Sequence, residues 1–230
     1  MNRTVGVFKM YFRDKFTWLL LPWMILGISF VVNLAVASSM SEETLVTGGL
    51  ASVFIFYLVL GITTTNQMFP FALGLGIRRT DYFAGTSLVV VAASALMSVL
   101  LVLLSVLEGD VIADWGVGLQ FFHLPFVSAV PIPMQLVSYF ILFLFMFYAG
   151  FVISCLYRRF GKLGMYVFFI ASFVILAFTP MLISYYDRWD EIGRWVTANI
   201  HSISDATLWL LPFAALLALA SYGLLRRSTV

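Results

Sequence analysis

Residues 83–107 read FAGTSLVVVAASALMSVLLVLLSVL, 25 consecutive positions without an Asp, Glu, Lys or Arg. At about 1.5 Å of helical rise per residue, such a run is long enough to cross the roughly 30 Å hydrocarbon core of a bilayer. The rest of the chain repeats the pattern. Uncharged stretches also occupy 16–41, 44–77, 115–157, 163–186 and 206–225. Spans are therefore expected at about 18–38, 46–68, 83–107, 134–157, 163–185 and 206–225. Helix is the default because lipid offers backbone groups no partner, and open strands would keep unpaired edges.

The composition agrees. Of 230 residues, 62% are hydrophobic and 10% are charged, where a soluble domain carries about 25% charged. No repeat, low-complexity run or soluble module interrupts the chain, so 1–230 is expected to form one all-α transmembrane domain. The single cysteine, Cys155, excludes an internal disulfide and any CxxC site. His123 and His201 lie far apart and cannot by themselves make a metal site.

The stretch 115–157 admits a second reading, as two spans joined at Pro131-Ile132-Pro133. Its first half carries Gly116, Gly118, Gln120, His123 and Pro125 and is too short to cross. That reading would also move Arg158, Arg159 and Lys162 to the acidic side. Residues 115–131 are therefore expected to lie at the outer interface.

Orientation follows from the basic residues. With six spans and the N-terminus inside, one face carries Arg3, Lys9, Arg13, Lys15, Arg78, Arg79, Arg158, Arg159, Lys162, Arg226 and Arg227. The other carries only Arg188 and Arg194, together with Glu42, Glu43, Glu108, Asp110, Asp114, Asp187, Asp190, Glu191 and Asp205. Both termini are expected in the cytoplasm. Ala35-Val36-Ala37 resembles a signal-cleavage tripeptide, but the apolar run before it is longer than a signal core, so the segment is expected to be retained.

Several features have a functional and a plain reading. Phe8, Phe12 and Phe16 share one helical face beside Lys9 and Arg13, which predicts an amphipathic helix on the inner leaflet rather than a plain basic flank. Pro180 and Pro212 interrupt the fifth and sixth spans, as hinges or as static kinks. Small residues four apart, Ser94/Ser98, Gly150/Ser154 and Ala214/Ala218, suit close helix packing. Outside, 187–200 carries Trp189, Ile192, Trp195 and Val196 among charges and reads as a short interfacial helix, either a lid or an anchor. His201 beside it reads as an ordinary loop histidine, with pH sensing the alternative.

No acidic or basic residue falls within an expected span, which argues against an ion-coupled carrier. No nucleophile–base pair or ligand cluster suggests a membrane enzyme. The nucleotide-binding pattern GxxxxGK[ST] is absent, so any work must be driven by a partner.

One inner loop stands out: Phe69-Pro70-Phe71-Ala72-Leu73-Gly74-Leu75-Gly76-Ile77-Arg78-Arg79-Thr80-Asp81-Tyr82-Phe83. Pro70 suits a helix start, Gly74 and Gly76 a stop or turn, and Thr80 a cap for the third span. A short apolar-faced helix at the membrane surface is expected, with an ordinary basic connection as the alternative.

This loop resembles the inner loop of permease subunits of the type-2 ABC exporters of Gram-positive bacteria, which commonly reads FPFALxLGxxRRxFF. Phe69 to Leu73, Gly76, Arg78, Arg79 and Phe83 match in kind, and Asp81-Tyr82 suits the acidic-aromatic variants. The resemblance implies a coupling helix seated on an ATPase, with Phe69, Phe71, Leu73, Gly76, Arg78, Arg79 and Asp81 in the coupling loop. It implies two cytoplasmic ATPase subunits that hold ATP and Mg, and a second permease, alike or related. The permease itself would bind no cofactor, metal or nucleic acid, and would reside in the bacterial plasma membrane. It would move a peptide, lipid or drug outward. The other reading is a non-transporting immunity or sensor protein that binds a peptide through its outer acidic and aromatic segments, 108–132 and 187–204.

Overall fold

The computed structural model describes residues 6–7, 10–11, 16–39, 45–112, 114–123, 130–199 and 203–226. Phe8, Phe12 and His201 lie outside them. The described chain is almost wholly helical. A π-turn, Phe16–Leu20, leads into α1 (Leu21–Ser39). Then come α2 (Ala51–Gly74), α3 (Arg79–Val106), α4 (Ile132–Tyr185), α5 (Trp189–Asn199) and α6 (Ile203–Arg226). The one departure from the all-α expectation is a parallel pair of two-residue strands, β1 (Leu45–Val46) and β2 (Leu119–Gln120).

Among the described residues, five helices are long and apolar enough to cross a membrane, one fewer than the six expected spans. The difference is α4, whose 54 residues run through both the fourth and the fifth expected span. At about 1.5 Å per residue it would be roughly 80 Å long if straight, far more than a bilayer needs. It is not continuous: Gly161 has φ 66° and ψ −161°, a region essentially reserved for glycine. The two arms, 132–160 and 162–185, also differ in environment. The buried side chains of α4 run from Gln135 to Cys155, whereas Leu163, Val167, Ile170, Phe173, Leu176 and Met181 are exposed.

The core is an aromatic seam between α2 and α4. Phe143 packs against Phe54 and Tyr57 with ring centres 4.8 and 4.5 Å apart, and Phe147 stacks on Phe151. Glycine allows the approach. A Cβ on Gly150 would sit 1.9 Å from the Leu58 carbonyl oxygen, and one on Gly61 would sit 2.2 Å from that of Phe147. Without a hydrophobic driving force between helices in lipid, such close backbone packing supplies much of the association. Gly150 was legible as a packing residue from its spacing with Ser154; Gly61 was not.

The outer surface is apolar. Along α1 and the turn before it, Phe16, Leu20, Met24, Ile28, Val31, Val32 and Val36 form an exposed stripe at helical spacing. A soluble monomer rarely shows a patch of that extent.

Candidate functional site: the junction of α2 and α3

The loop singled out in the sequence is built differently from the expected short helix. Pro70 does not start a helix; α2 runs straight through it to Gly74. A proline inside a helix removes one N–H and pushes on the carbonyl four residues back, which loosens the ladder upstream. Two carbonyls just upstream of that one also accept from side chains. Tyr82 Oη donates to the Thr64 oxygen at 3.1 Å, and an Arg158 guanidinium N–H donates to the Thr65 oxygen at 3.0 Å. Ser154 Oγ lies 3.2 Å from Asn66 Oδ1.

Helix α2 then ends in a tight glycine cap. Gly76 has φ +73°, its N–H reaches the Leu73 oxygen, and the Ile77 N–H reaches that of Ala72. This is the paired bonding of a left-handed helix stop, which glycine adopts without penalty. Helix α3 begins at once. Its N-cap is Arg78 rather than Thr80, in extended geometry and without a side-chain cap bond. Asp81 sits in the first turn, where a negative charge suits the helix dipole.

The predicted coupling residues separate into two sets. Phe71, Gly76 and Arg78 are exposed, and Leu73, Arg79 and Asp81 are half-buried. Leu75, absent from the predicted set, is 63% exposed and Phe71 57%, so these two form the apolar tip of the turn. Phe69 is wholly buried. Its ring packs 5.1 Å from Tyr82 and lies under the Arg158 guanidinium at 4.9 Å. Phe69 thus belongs to the support of the turn rather than to its surface.

Every neighbouring segment is tied to that support. Arg158, expected to be simple charge anchoring, fixes α4 to the end of α2 through Thr65 and Phe69. Arg79 donates to the Arg226 carbonyl at 3.1 Å and so holds the end of α6. The N-terminal segment plugs in through Tyr11, which is 1% exposed. Its hydroxyl donates to Tyr82 Oη at 3.1 Å and lies 2.9 Å from Thr86 Oγ1. Burial pushes the Tyr11 phenol up to about 12, so it stays a neutral hydrogen-bonding group. Of the expected Phe8/Phe12/Phe16 face, Phe16 is described and is exposed, while among the described residues of that segment Val7 and Tyr11 are buried.

At the other end, α5 carries no buried residue. The Trp189 indole donates to Ser184 Oγ at 2.8 Å, and Arg188 pairs with Glu191. Trp195 meets Trp209 of α6 edge-on at 5.6 Å. Glu108, expected among the outer acids of 108–132, is wholly buried in a π-turn, Leu107–Val111, that continues α3. Residues 114–123 fold back over it with Leu119, Phe121 and Phe122 buried. Among the described residues, no group of three or more His, Cys, Asp or Glu could hold a metal ion.

No family model, no curated protein and no solved structure matches the chain. The long apolar helices are compatible with a multi-pass membrane protein.

Proposed function

We propose that this chain is the permease subunit of an ATP-driven exporter, with the α2–α3 junction as its point of attachment to a separate ATPase. One observation carries the reading: the Phe71/Leu75/Arg78 tip is exposed on a rigid glycine-capped turn whose base is bonded to the N-terminal segment, α3, α4 and α6. A plain connection needs no such base, whereas a lever that moves several helices together does. The match of 69–83 to the inner loop of type-2 ABC exporter permeases supplies the partner class.

In this reading the two arms of α4 are the fourth and fifth of six crossings. Both termini and the junction then lie in the cytoplasm of a bacterium, where ATP is, and basic residues crowd that side. Two permeases, alike or related, join two ATPase subunits that hold ATP and Mg; this chain binds neither. Closure of the ATPases pushes the junction, and the helices bonded to it shift as a unit. The spans offer an apolar path, suited to a peptide, lipid or drug. Purification of the tagged full chain from its native membranes is expected to bring down an ATPase. Leu75→Asp with Arg78→Glu is expected to lose that partner while the chain still inserts; retention of the partner by that variant would refute the assignment.

A second reading, a non-transporting immunity or sensor protein, is favoured by the partly exposed Trp189 and Trp195 of α5. Loss of outer peptide binding on Trp189→Ala with Trp195→Ala, with no dependence on ATP, would select it.

A further inference from the structure

The outer end of α3 keeps a carboxylate entirely out of water. Glu108 is 0% exposed. Its Oε1 accepts from the Trp115 indole N–H at 2.7 Å and from the Phe121 N–H at 2.8 Å. Its Oε2 accepts from the N–H groups of Phe122 and His123 at 2.8 and 2.9 Å, with His123 Nδ1 at 3.4 Å. Burying a charge is costly unless donors surround it, and hydrogen bonds to an ionised group are the stronger kind. Here every donor comes from one loop, residues 114–123.

That loop is strained. Asp114 has φ 52° and Trp115 φ 60°. A bulky residue stays in the left-handed region only where its surroundings hold it there. Gly116 and Gly118 take similar angles freely.

The same loop also touches two other helices. Phe30 of α1 packs on Trp115, Phe121 and Phe122, with ring centres 4.8, 5.3 and 5.8 Å away. Strand β2 pairs with β1, just before α2, and the Phe121 ring fills the space a side chain on Gly49 would need. One loop therefore joins the middle of α1, the segment that leads into α2 and the outer end of α3, and one carboxylate holds the loop.

We propose that residues 114–123 form a spring-loaded outer clasp, which Glu108 holds shut and which must release for α1 and α3 to part on the outer side. The clasp goes beyond the exporter reading and does not depend on what drives the inner junction.

The test uses the full chain in membranes with Leu119→Cys, a wholly buried position within the clasp, as the reporter. Native Cys155, buried in α4, is kept as a second reporter of the fold. A membrane-impermeant maleimide reads position 119 and a permeant one reads Cys155. Glu108→Gln replaces one acceptor oxygen by an N–H group that faces two donors. It is expected to speed labelling at 119 by at least about tenfold, with Cys155 as slow as before. Glu108→Asp, which keeps the charge, is expected to fall between. Phe30→Ala, which removes the seat and leaves the carboxylate, is expected to raise labelling as well. An unchanged rate at 119 in Glu108→Gln overturns the proposal. So does a parallel rise at both cysteines, which would make Glu108 a residue of the fold rather than of a clasp.

Discussion

A single methyl group on Gly150 probes how far the seam between α2 and α4 depends on backbone contact. The added Cβ would lie 1.9 Å from the Leu58 carbonyl oxygen, whereas ordinary contact begins near 3.4 Å. The difference, 3.4 − 1.9 = 1.5 Å, must come from moving one helix, because the obstacle is main chain and cannot rotate away. A shift of that size loosens the Phe143 ring against Tyr57 and Phe54. Overpacking together with the voids it opens is expected to cost about 2–4 kcal/mol. Reversible unfolding of the purified full chain in lipid–detergent micelles, titrated with SDS, measures it. Gly61→Ala faces a smaller gap, 3.4 − 2.2 = 1.2 Å, and is expected to cost less. Because both changes separate the same helices, the double variant should fall short of the sum by at least about 0.5 kcal/mol. Gly27→Ala, with open space at its Cβ, is the control and should change stability by no more than about 0.5 kcal/mol. A Gly150→Ala protein as stable as the Gly27→Ala protein would refute the reasoning.

Four further outcomes are expected. Tyr11→Phe removes the link to Tyr82 and Thr86 and should cost about 1–2 kcal/mol in the same titration, and Tyr82→Phe should cost more because it also removes the bond to the Thr64 oxygen. Arg158→Lys cannot reproduce the contact with Thr65 and the Phe69 ring together; it should cost about 1–2 kcal/mol and speed hydrogen exchange at the end of α2. Gly161→Ala forces a side chain into a glycine-only conformation and should lower stability by about 1–3 kcal/mol, seen as a fall in Tm. Trp209→Ala removes the ring that Trp195 rests on, worth about 0.5–1.5 kcal/mol, and should speed hydrogen exchange across α5 but not across α2.

Length and hydropathy made the apolar helices legible, because the bilayer constrains both directly. The boundaries moved where local chemistry overrode composition. Helix α2 continues past Pro70, and the carbonyls of Thr64 and Thr65 upstream accept from Tyr82 and Arg158. Nothing local to residues 69–83 announces the Arg158 contact. A signal for Arg158 was present: Phe151, Cys155 and Arg158 share one helical face, and the first two are buried. Leu75 occupies a leucine position of the family pattern, but a pattern of residue types does not say that the side chain stands exposed at the turn. Glu108 looked like one more outer acid, since its partners are mostly backbone N–H groups, which any residue supplies. The break at Gly161 was signalled by the charges around it, although glycine alone could not say how sharply the chain departs from helix.

The most direct test of the central proposal is a photo-crosslinker, benzoylphenylalanine, placed at Leu75 in the full chain within its native membrane. The expected result is an adduct with a soluble ATP-hydrolysing subunit, lost when Arg78 is changed to Glu. Adducts with lipid alone would contradict the assignment of the α2–α3 junction as the point where an ATPase drives this chain.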